Sequence, residues 1–273
     1  MRAINRNVIP TPTKLSRLHA DPQELQNELN LISNGNKKAK GNIYGDQTVK
    51  NALVSIYKNV CFLCQSDISS GYDIEHFLPW SKYHPERAYD WNNLHQSCKA
   101  CNNRKKKKIY KELDQNETSK VNDILLLDPS SDNVESLITF DPDTCNAISL
   151  NADNKSNLTA IFLNEADCIG LRKDHWIRLN KLLISNEWLE VYFLIKKDYS
   201  DYSNTVLDFT KIIDAKVGAF CYRISVGYLS INKEYNIFTS RIFYENTGVD
   251  IELIKKYSSE HCSHHNIPLP QMV

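Results

Sequence analysis

Cys61 and Cys64 form one C-x2-C pair, and Cys98 and Cys101 form a second, with 33 residues between the pairs. Each pair can present two thiolates from one tight turn, and four thiolates complete a tetrahedral Zn²⁺ site. A four-thiolate site has no open coordination position, so its zinc would clamp the chain rather than do chemistry. The residues that could react lie between and just after the pairs: Glu75-His76, Asn93 and Asn102, followed by Arg104 and Lys105. Each is ordinary by itself. A lone His is more often packed or on the surface, an Asn-Leu dipeptide carries no meaning, and a basic run is usually a solvated helix face. Their order and spacing inside one zinc-framed unit is what points to a reaction. Cys145, Cys168, Cys221 and Cys262 are dispersed and are expected to be buried small hydrophobes. The tail His261-Cys262-Ser263-His264-His265 could bind a metal, although a frayed terminus is the commoner outcome.

The set Glu75-His76, Asn93-Leu94 and Cys98-Lys99-Ala100-Cys101-Asn102 resembles the HNH nuclease family. In that family an acid-His dipeptide lies on a hairpin, an Asn lies in the connecting loop, and a His or Asn opens the final helix. The resemblance implies a ββα-metal fold and hydrolysis of phosphodiester bonds. His76 would be the general base, since an imidazole can accept a proton from water near neutral pH. Glu75 and Asn102 would bind the catalytic metal, and their hard oxygen donors suit Mg²⁺ or Mn²⁺. Asn93 would hold the catalytic loop by hydrogen bonds so that His76 points at the water. Lys99, Arg104, Lys105, Lys106, Lys107 and Lys108 would contact phosphate. Glu75 stands where many HNH proteins have Asp, and Asn102 where many have His; both keep an oxygen or nitrogen donor. Asp73 is a nearby acid expected first as a hairpin residue, and His84 and His95 are expected not to be ligands.

A closer resemblance, to the PtuB-type HNH proteins of Septu and related retron anti-phage systems, rests on further segments. These are Met1-Arg2-Ala3-Ile4-Asn5-Arg6, Glu75-His76-Phe77 with Pro79, Tyr89-Asp90-Trp91-Asn92-Asn93-Leu94, and Ser97-Cys98 through Asn102. Leu125-Leu126-Leu127-Asp128-Pro129, Phe140-Asp141 and Leu163-Asn164 near Arg172 extend it over roughly residues 1–190. This resemblance implies a defence effector acting with a PtuA-like ATPase. A reading from a different class keeps the cysteines and the basic run but not the reaction: a non-catalytic zinc module that binds nucleic acid or bridges to an ATPase. Such a module has no physical need for Glu75-His76 or for Asn102.

Several elements must position these residues. Asp21 reads as an N-cap, with Pro22 at the first helical position and Glu24 completing a capping box. Leu25, Leu29 and Ile32 give that helix an apolar face, and Asn34-Gly35 stops it. Val49, Leu53, Ile56 and Tyr57 mark a second amphipathic helix running into Cys61. The first 20 residues show little periodicity and are expected to be an irregular arm. Ile124–Leu127 suggests a buried strand or an extended docking segment. Leu137–Phe140 and Ala147–Leu150 suggest two strands flanking the turn-rich Asp141-Pro142-Asp143-Thr144. Beyond Asn154 the apolar pattern turns helical, with a long helix expected over Val206, Phe209, Ile213, Val217 and Phe220, and Tyr199 and Tyr202 are aromatics that could stack on bases. The fold class expected is α+β: N-terminal arm and helices (1–58), a zinc-stabilised ββα-metal core (59–112), a linker with short strands (113–153) and a mainly α-helical C-terminal domain (154–273).

Composition is compatible with this organisation. The chain has 273 residues, 41% hydrophobic and 24% charged, with 33 basic and 33 acidic side chains. These values suit a soluble globular protein and argue against disorder. A nucleic-acid enzyme needs positive charge only where phosphates go, and here it is gathered in Lys99, Arg104 to Lys108 and Lys111. The first ten residues contain no apolar segment of the secretory kind, and no run approaches the length of a membrane span. A cytoplasmic protein is expected, in whose reducing surroundings paired cysteines read as metal ligands. DNA is the favoured partner and RNA remains open, because a basic run attracts any polyanion and reads no bases.

Overall fold

The computed structural model describes residues 1–36, 38–81, 83–105, 126–196, 213–230 and 232–272. The chain mixes helices and sheet and divides into two compact units: Met1–Ile138 with Ser149–Leu163, and Thr139–Ile148 with Asn164–Val273.

The first unit opens with a 3-10 turn at Arg6–Val8 and helix α1 at Thr13–His19. Neither matches the irregular arm expected there. Leu15 and Leu18 are buried, and α1 is held by this one apolar pair, too short a pattern to read as periodic. The lead-in before α1 is also docked. Met1 and Ile4 are buried, and the Ile4 amide donates to Pro129 O at 2.7 Å. Helix α2, Pro22–Ser33, begins where Asp21 accepts from the Glu24 amide at 2.9 Å, and Gly35 follows its end at φ 70°. After the short α3 at Gly41–Tyr44, helix α4 spans Gln47–Tyr57, with Asp46 as its N-cap. Its buried Val49, Leu53, Ile56 and Tyr57 form the stripe that the sequence spacing requires. Lys58 in the left-handed region turns the chain out of α4 toward Cys61.

Strand β1, Asp73–His76, pairs antiparallel with β2, Leu94–Ser97, with Glu75 opposite His95 and His76 opposite Leu94. A helix over 99–105, α5, follows β2 after one residue. The stretch 126–129 forms no strand. Leu126 and Leu127 are buried, and the Leu127 amide donates to Thr159 Oγ1 at 2.9 Å, while Ile124 and Leu125 lie outside the described residues. Helix α6 at Val134–Leu137 leads into β3, Ile138–Phe140, which pairs with β4, Ala147–Ser149. Asp141 shapes the turn between them by accepting from the Thr144 amide and hydroxyl, both at 2.6 Å. Helix α7, Asn154–Leu163, belongs to the first unit.

The second unit carries α8 (Ala166–Leu183), α9 (Asn186–Lys196), α10 (Ala219–Ile224) between two π-helical stretches at Asp214–Gly218 and Ser225–Leu229, α11 (Asn236–Thr247) and α12 (Ile251–His265). Its core gathers Leu179, Trp188, Val217, Phe220, Ile224, Phe243 and Ile254. Arg172, almost fully buried, donates to Cys145 O at 3.0 Å and to Asn164 Oδ1 at 3.2 Å. Cys145, Cys168, Cys221 and Cys262 are all free and buried, and burial pushes the Cys221 thiol up to about 12. The tail is not frayed: α12 runs through His261, His264 and His265. Residues 206–212 of the long helix expected over Val206–Phe220, together with Tyr199 and Tyr202, lie outside the described residues, and 213–220 are helical. Among the described residues no helix is long and apolar enough to cross a membrane.

Candidate active site

The cysteine pairs meet. The sulfurs of Cys61, Cys64, Cys98 and Cys101 lie within 4.8 Å of one another. The Cys98 amide donates to Cys61 Sγ and the Cys101 amide to Cys98 Sγ, each at 3.3 Å, so the backbone of the second knuckle already faces thiolates. Burial alone would raise the Cys61 thiol, but contacts with Cys101 and Cys64 hold it below its ordinary value. Cys98 is likewise lowered, by Cys101, Cys61 and Cys64. Four converging sulfurs, with Cys61 and Cys98 of lowered basicity, fit a closed zinc centre.

The knuckles flank the hairpin that presents His76, which is itself buried. His76 Nε2 lies 2.9 Å from Ala88 O. A carbonyl only accepts, so Nε2 carries the proton in this contact, and the lone pair of the neutral ring is on Nδ1. The Tyr44 ring meets the imidazole edge-on, with centroids 4.8 Å apart. The segment between β1 and β2 is closed by Asn93. Its Nδ2 donates to Leu78 O at 2.9 Å and Arg87 O at 3.0 Å, and its Oδ1 accepts from the Leu78 amide at 2.6 Å. The Asn93 carbonyl also accepts from the Phe77 amide at 2.8 Å. One side chain thus ties the residues just after His76 to the residue just before Ala88.

The acidic face of β1 meets α5 in two pairs. Side chains two apart on a strand share a face, and those three apart on a helix do too, so Asp73 and Glu75 oppose Asn102 and Lys105. Asn102 Nδ2 donates to Asp73 Oδ2 at 2.9 Å, while Asn102 Oδ1 is buried with no hydrogen-bond partner. The Lys105 ammonium donates to the Glu75 carboxylate, and to His76 O at 2.7 Å. Lys105 is 0% exposed and Glu75 5%. An open cleft of about 620 Å³ is bordered by Tyr44, Lys50, Tyr72, Asp73 and Asn102.

The site differs from the sequence expectation in who meets whom. Lys105 was expected against phosphate and is instead buried, because a charge at that helix position faces Glu75 and a backbone carbonyl. Glu75, expected as a metal ligand, has Lys105 on its carboxylate; Asp73, expected as a hairpin residue, is the acid that meets Asn102. Lys99 is exposed, and Arg104 is half-buried over the Phe162 ring. Lys106, Lys107, Lys108 and Lys111 lie outside the described residues. His95 is fully buried between Phe62 and Phe77, with Nδ1 2.7 Å from Tyr57 Oη.

Arg6 is a residue that sequence reasoning missed. It donates to Trp91 O at 3.0 Å, to Leu94 O and to Tyr57 Oη, bracing the chain on both sides of Asn93. The sequence placed Arg6 in an aperiodic lead-in, within the segment Met1–Arg6 that carries the closer resemblance, but pointed to no partner for it. For Asp73 and Lys105 a signal did exist: the D-x-E spacing on a strand matched to N-x-x-K on a helix.

Residues 61–108 match the HNH endonuclease family, a span that runs from the first cysteine pair through the ββα element just described. The chain therefore carries an HNH endonuclease domain. The chain is also similar to the Septu protein PtuB of Bacillus thuringiensis, 35% identical over 97 residues, which are 34% of this chain and 35% of that protein. It is also similar to the Septu protein PtuB of Bacillus mycoides (strain KBAB4), 30% identical over 110 residues, 33% of this chain and 37% of that protein. The chain thus matches little more than a third of the length of these relatives.

Proposed function

We propose that this chain is a metal-dependent endonuclease that hydrolyses phosphodiester bonds, with DNA as the favoured substrate and RNA the other candidate. It would serve as the nuclease of an anti-phage system of the Septu kind, alongside a PtuA-like ATPase. The observation that carries the nuclease reading is the fixed imidazole: His76 Nε2 held on Ala88 O inside a loop that Asn93 pins. A packed structural His would need no such brace, whereas a general base must be aimed.

In this reading His76 Nδ1 takes the proton of the attacking water. The Ala88 carbonyl keeps the ring oriented and favours the imidazolium that results. Asp73 and Asn102 would hold a hard divalent ion, Mg²⁺ or Mn²⁺; the orphaned Asn102 Oδ1 beside a carboxylate fits such an ion. When bound, the ion supplies charge stabilisation for the phosphate and the leaving oxygen. Glu75 would act mainly by holding Lys105. Four thiolates would hold zinc and so fix the hairpin and α5 relative to each other. Lys99 and Arg104 would contact phosphate without reading sequence. The defence role and the ATPase partner rest on the similarity to the Septu proteins PtuB.

The test uses wild type and His76→Ala, both checked for zinc and fold, on plasmid DNA and total tRNA with Mg²⁺ or Mn²⁺, with and without the ATPase. Cleavage by wild type alone supports the reading and identifies the nucleic acid. Identical behaviour of the two proteins under every condition would replace it with a non-catalytic zinc module.

A further inference from the structure

The second unit contains a cluster that the nuclease site does not use. Asp214 stands at the start of the π-helical stretch Asp214–Gly218, and His261, His264 and His265 stand in the last turns of α12. His261 Nδ1 lies 3.1 Å from Asp214 Oδ1, His265 Nε2 3.0 Å from Oδ2, and His264 Nδ1 3.4 Å from Oδ1. The ligand atoms of Asp214, His261 and His265 all lie within 4.8 Å of one another. We propose that Asp214, His261 and His265 form a second metal site, for a borderline divalent transition ion such as Zn²⁺, separate from the cysteine centre.

Three features argue for a built site rather than a chance contact. His261 and His265 are four apart on α12 and so share one face, which lets two imidazoles reach one ion. Their ring centroids are 4.5 Å apart. The approach of α12 to Asp214 depends on the absence of a side chain at Gly218: a Cβ there would lie 2.7 Å from Asp214 Oδ1 and 3.0 Å from His261 Cβ. A π-helical turn, which recurs at functional sites, supplies the carboxylate. Burial pushes the Asp214 carboxyl up, but its hydrogen bonds with the three imidazoles outweigh this and hold it below its ordinary value.

Imidazole nitrogen with one carboxylate suits Zn²⁺ and its neighbours better than Mg²⁺ or Ca²⁺, which prefer all-oxygen sets. Asp214 and His261 are mostly buried, whereas the His265 side chain is 53% exposed, so the site opens to solvent on that side. His264 is near enough to supply a further nitrogen. An ion here would tie the end of α12 to the π-helical turn.

The test starts from full-length protein carrying one zinc per chain and adds Zn²⁺ in excess Mg²⁺, with uptake read by native mass spectrometry and by competition with a chromophoric chelator. Wild type should bind one further Zn²⁺. His265→Ala, at a half-exposed position that spares the fold, and Asp214→Asn should each weaken that uptake on the order of 100-fold, at or beyond the effect of losing an outer-shell partner. Asn102→Ala should leave it intact. The proposal is overturned if wild type takes up no zinc beyond the cysteine centre, if His265→Ala matches wild type, or if Asn102→Ala abolishes the uptake. The outcome is independent of whether the nuclease reading holds.

Discussion

Asn93 and Leu78 are bonded in both directions: the Asn93 amide nitrogen donates to Leu78 O at 2.9 Å, and its oxygen accepts from the Leu78 amide at 2.6 Å. This two-way bond turns the segment after His76 into a rigid bracket. Because the same Asn93 nitrogen also reaches Arg87 O, it sets where the next residue, Ala88, offers its carbonyl to His76.

Asn93→Ala removes all three side-chain bonds and strands their backbone partners. Stability of the first unit should fall by about 1–3 kcal/mol. Cleavage should fall further than stability alone explains, on the order of 100-fold, because a base misplaced by about an ångström loses that much. Urea unfolding alongside single-turnover cleavage separates the two effects. Full activity in a folded Asn93→Ala protein would show that the bracket does not aim the base.

Asp73 and Glu75 should separate by readout. Asp73→Asn should leave the thermal midpoint nearly unchanged and reduce cleavage on the order of 100-fold, with a raised Mn²⁺ requirement. Glu75→Gln should lower the midpoint, since it removes the carboxylate charge paired with the buried Lys105 ammonium. If instead Glu75→Gln raises the Mn²⁺ requirement and Asp73→Asn does not, the carboxylate assignments are reversed.

The Glu75–Lys105 pair has a double-mutant signature. Lys105→Met alone removes the ammonium paired with a buried carboxylate and should cost about 3–5 kcal/mol. Adding Glu75→Leu should recover most of that loss, because an apolar pair of similar size needs no desolvation of charge. Additive losses in the double variant would mean that the two side chains do not depend on each other.

His95 makes the first unit sensitive to acid. Burial, then the charges of Arg6 and Lys105 and the neighbouring His76, hold its imidazole well below the ordinary 6.5. Below that pH the unfolded chain binds a proton that the folded chain does not. Stability from this group is therefore complete above about pH 6.5 and is lost as pH falls toward the folded value, with a slope of up to about 1.4 kcal/mol per pH unit. With zinc in excess, the urea midpoint should drop as pH is lowered from 7 toward 5, and less steeply in His95→Gln. Equal slopes in the two proteins would place the acid sensitivity elsewhere.

Local signals were legible along the chain. The Asp21 cap, the Asn34-Gly35 stop, the stripe of α4, the β3–β4 hairpin around Asp141, and the spacing of the cysteine pairs each involve residues a few positions apart or one repeated ligand type. Backbone hydrogen bonding and side-chain period decide such features almost by themselves. The order Glu75-His76, Asn93, Asn102 likewise pointed to the right class of domain before any packing was known. What only the tertiary structure decided is which polar groups meet. Lys105 looks like one more solvated lysine until α5 lies against β1, some thirty residues earlier in the chain, and burial makes Glu75 its partner. Arg6 belongs to an aperiodic lead-in until Trp91 O and Leu94 O converge on it, and His261 and His265 belong to a His-rich tail with no visible acid partner until a π-helical turn brings up Asp214. The charge state and role of such side chains depend on desolvation and on partners distant in sequence, and no local pattern encodes either.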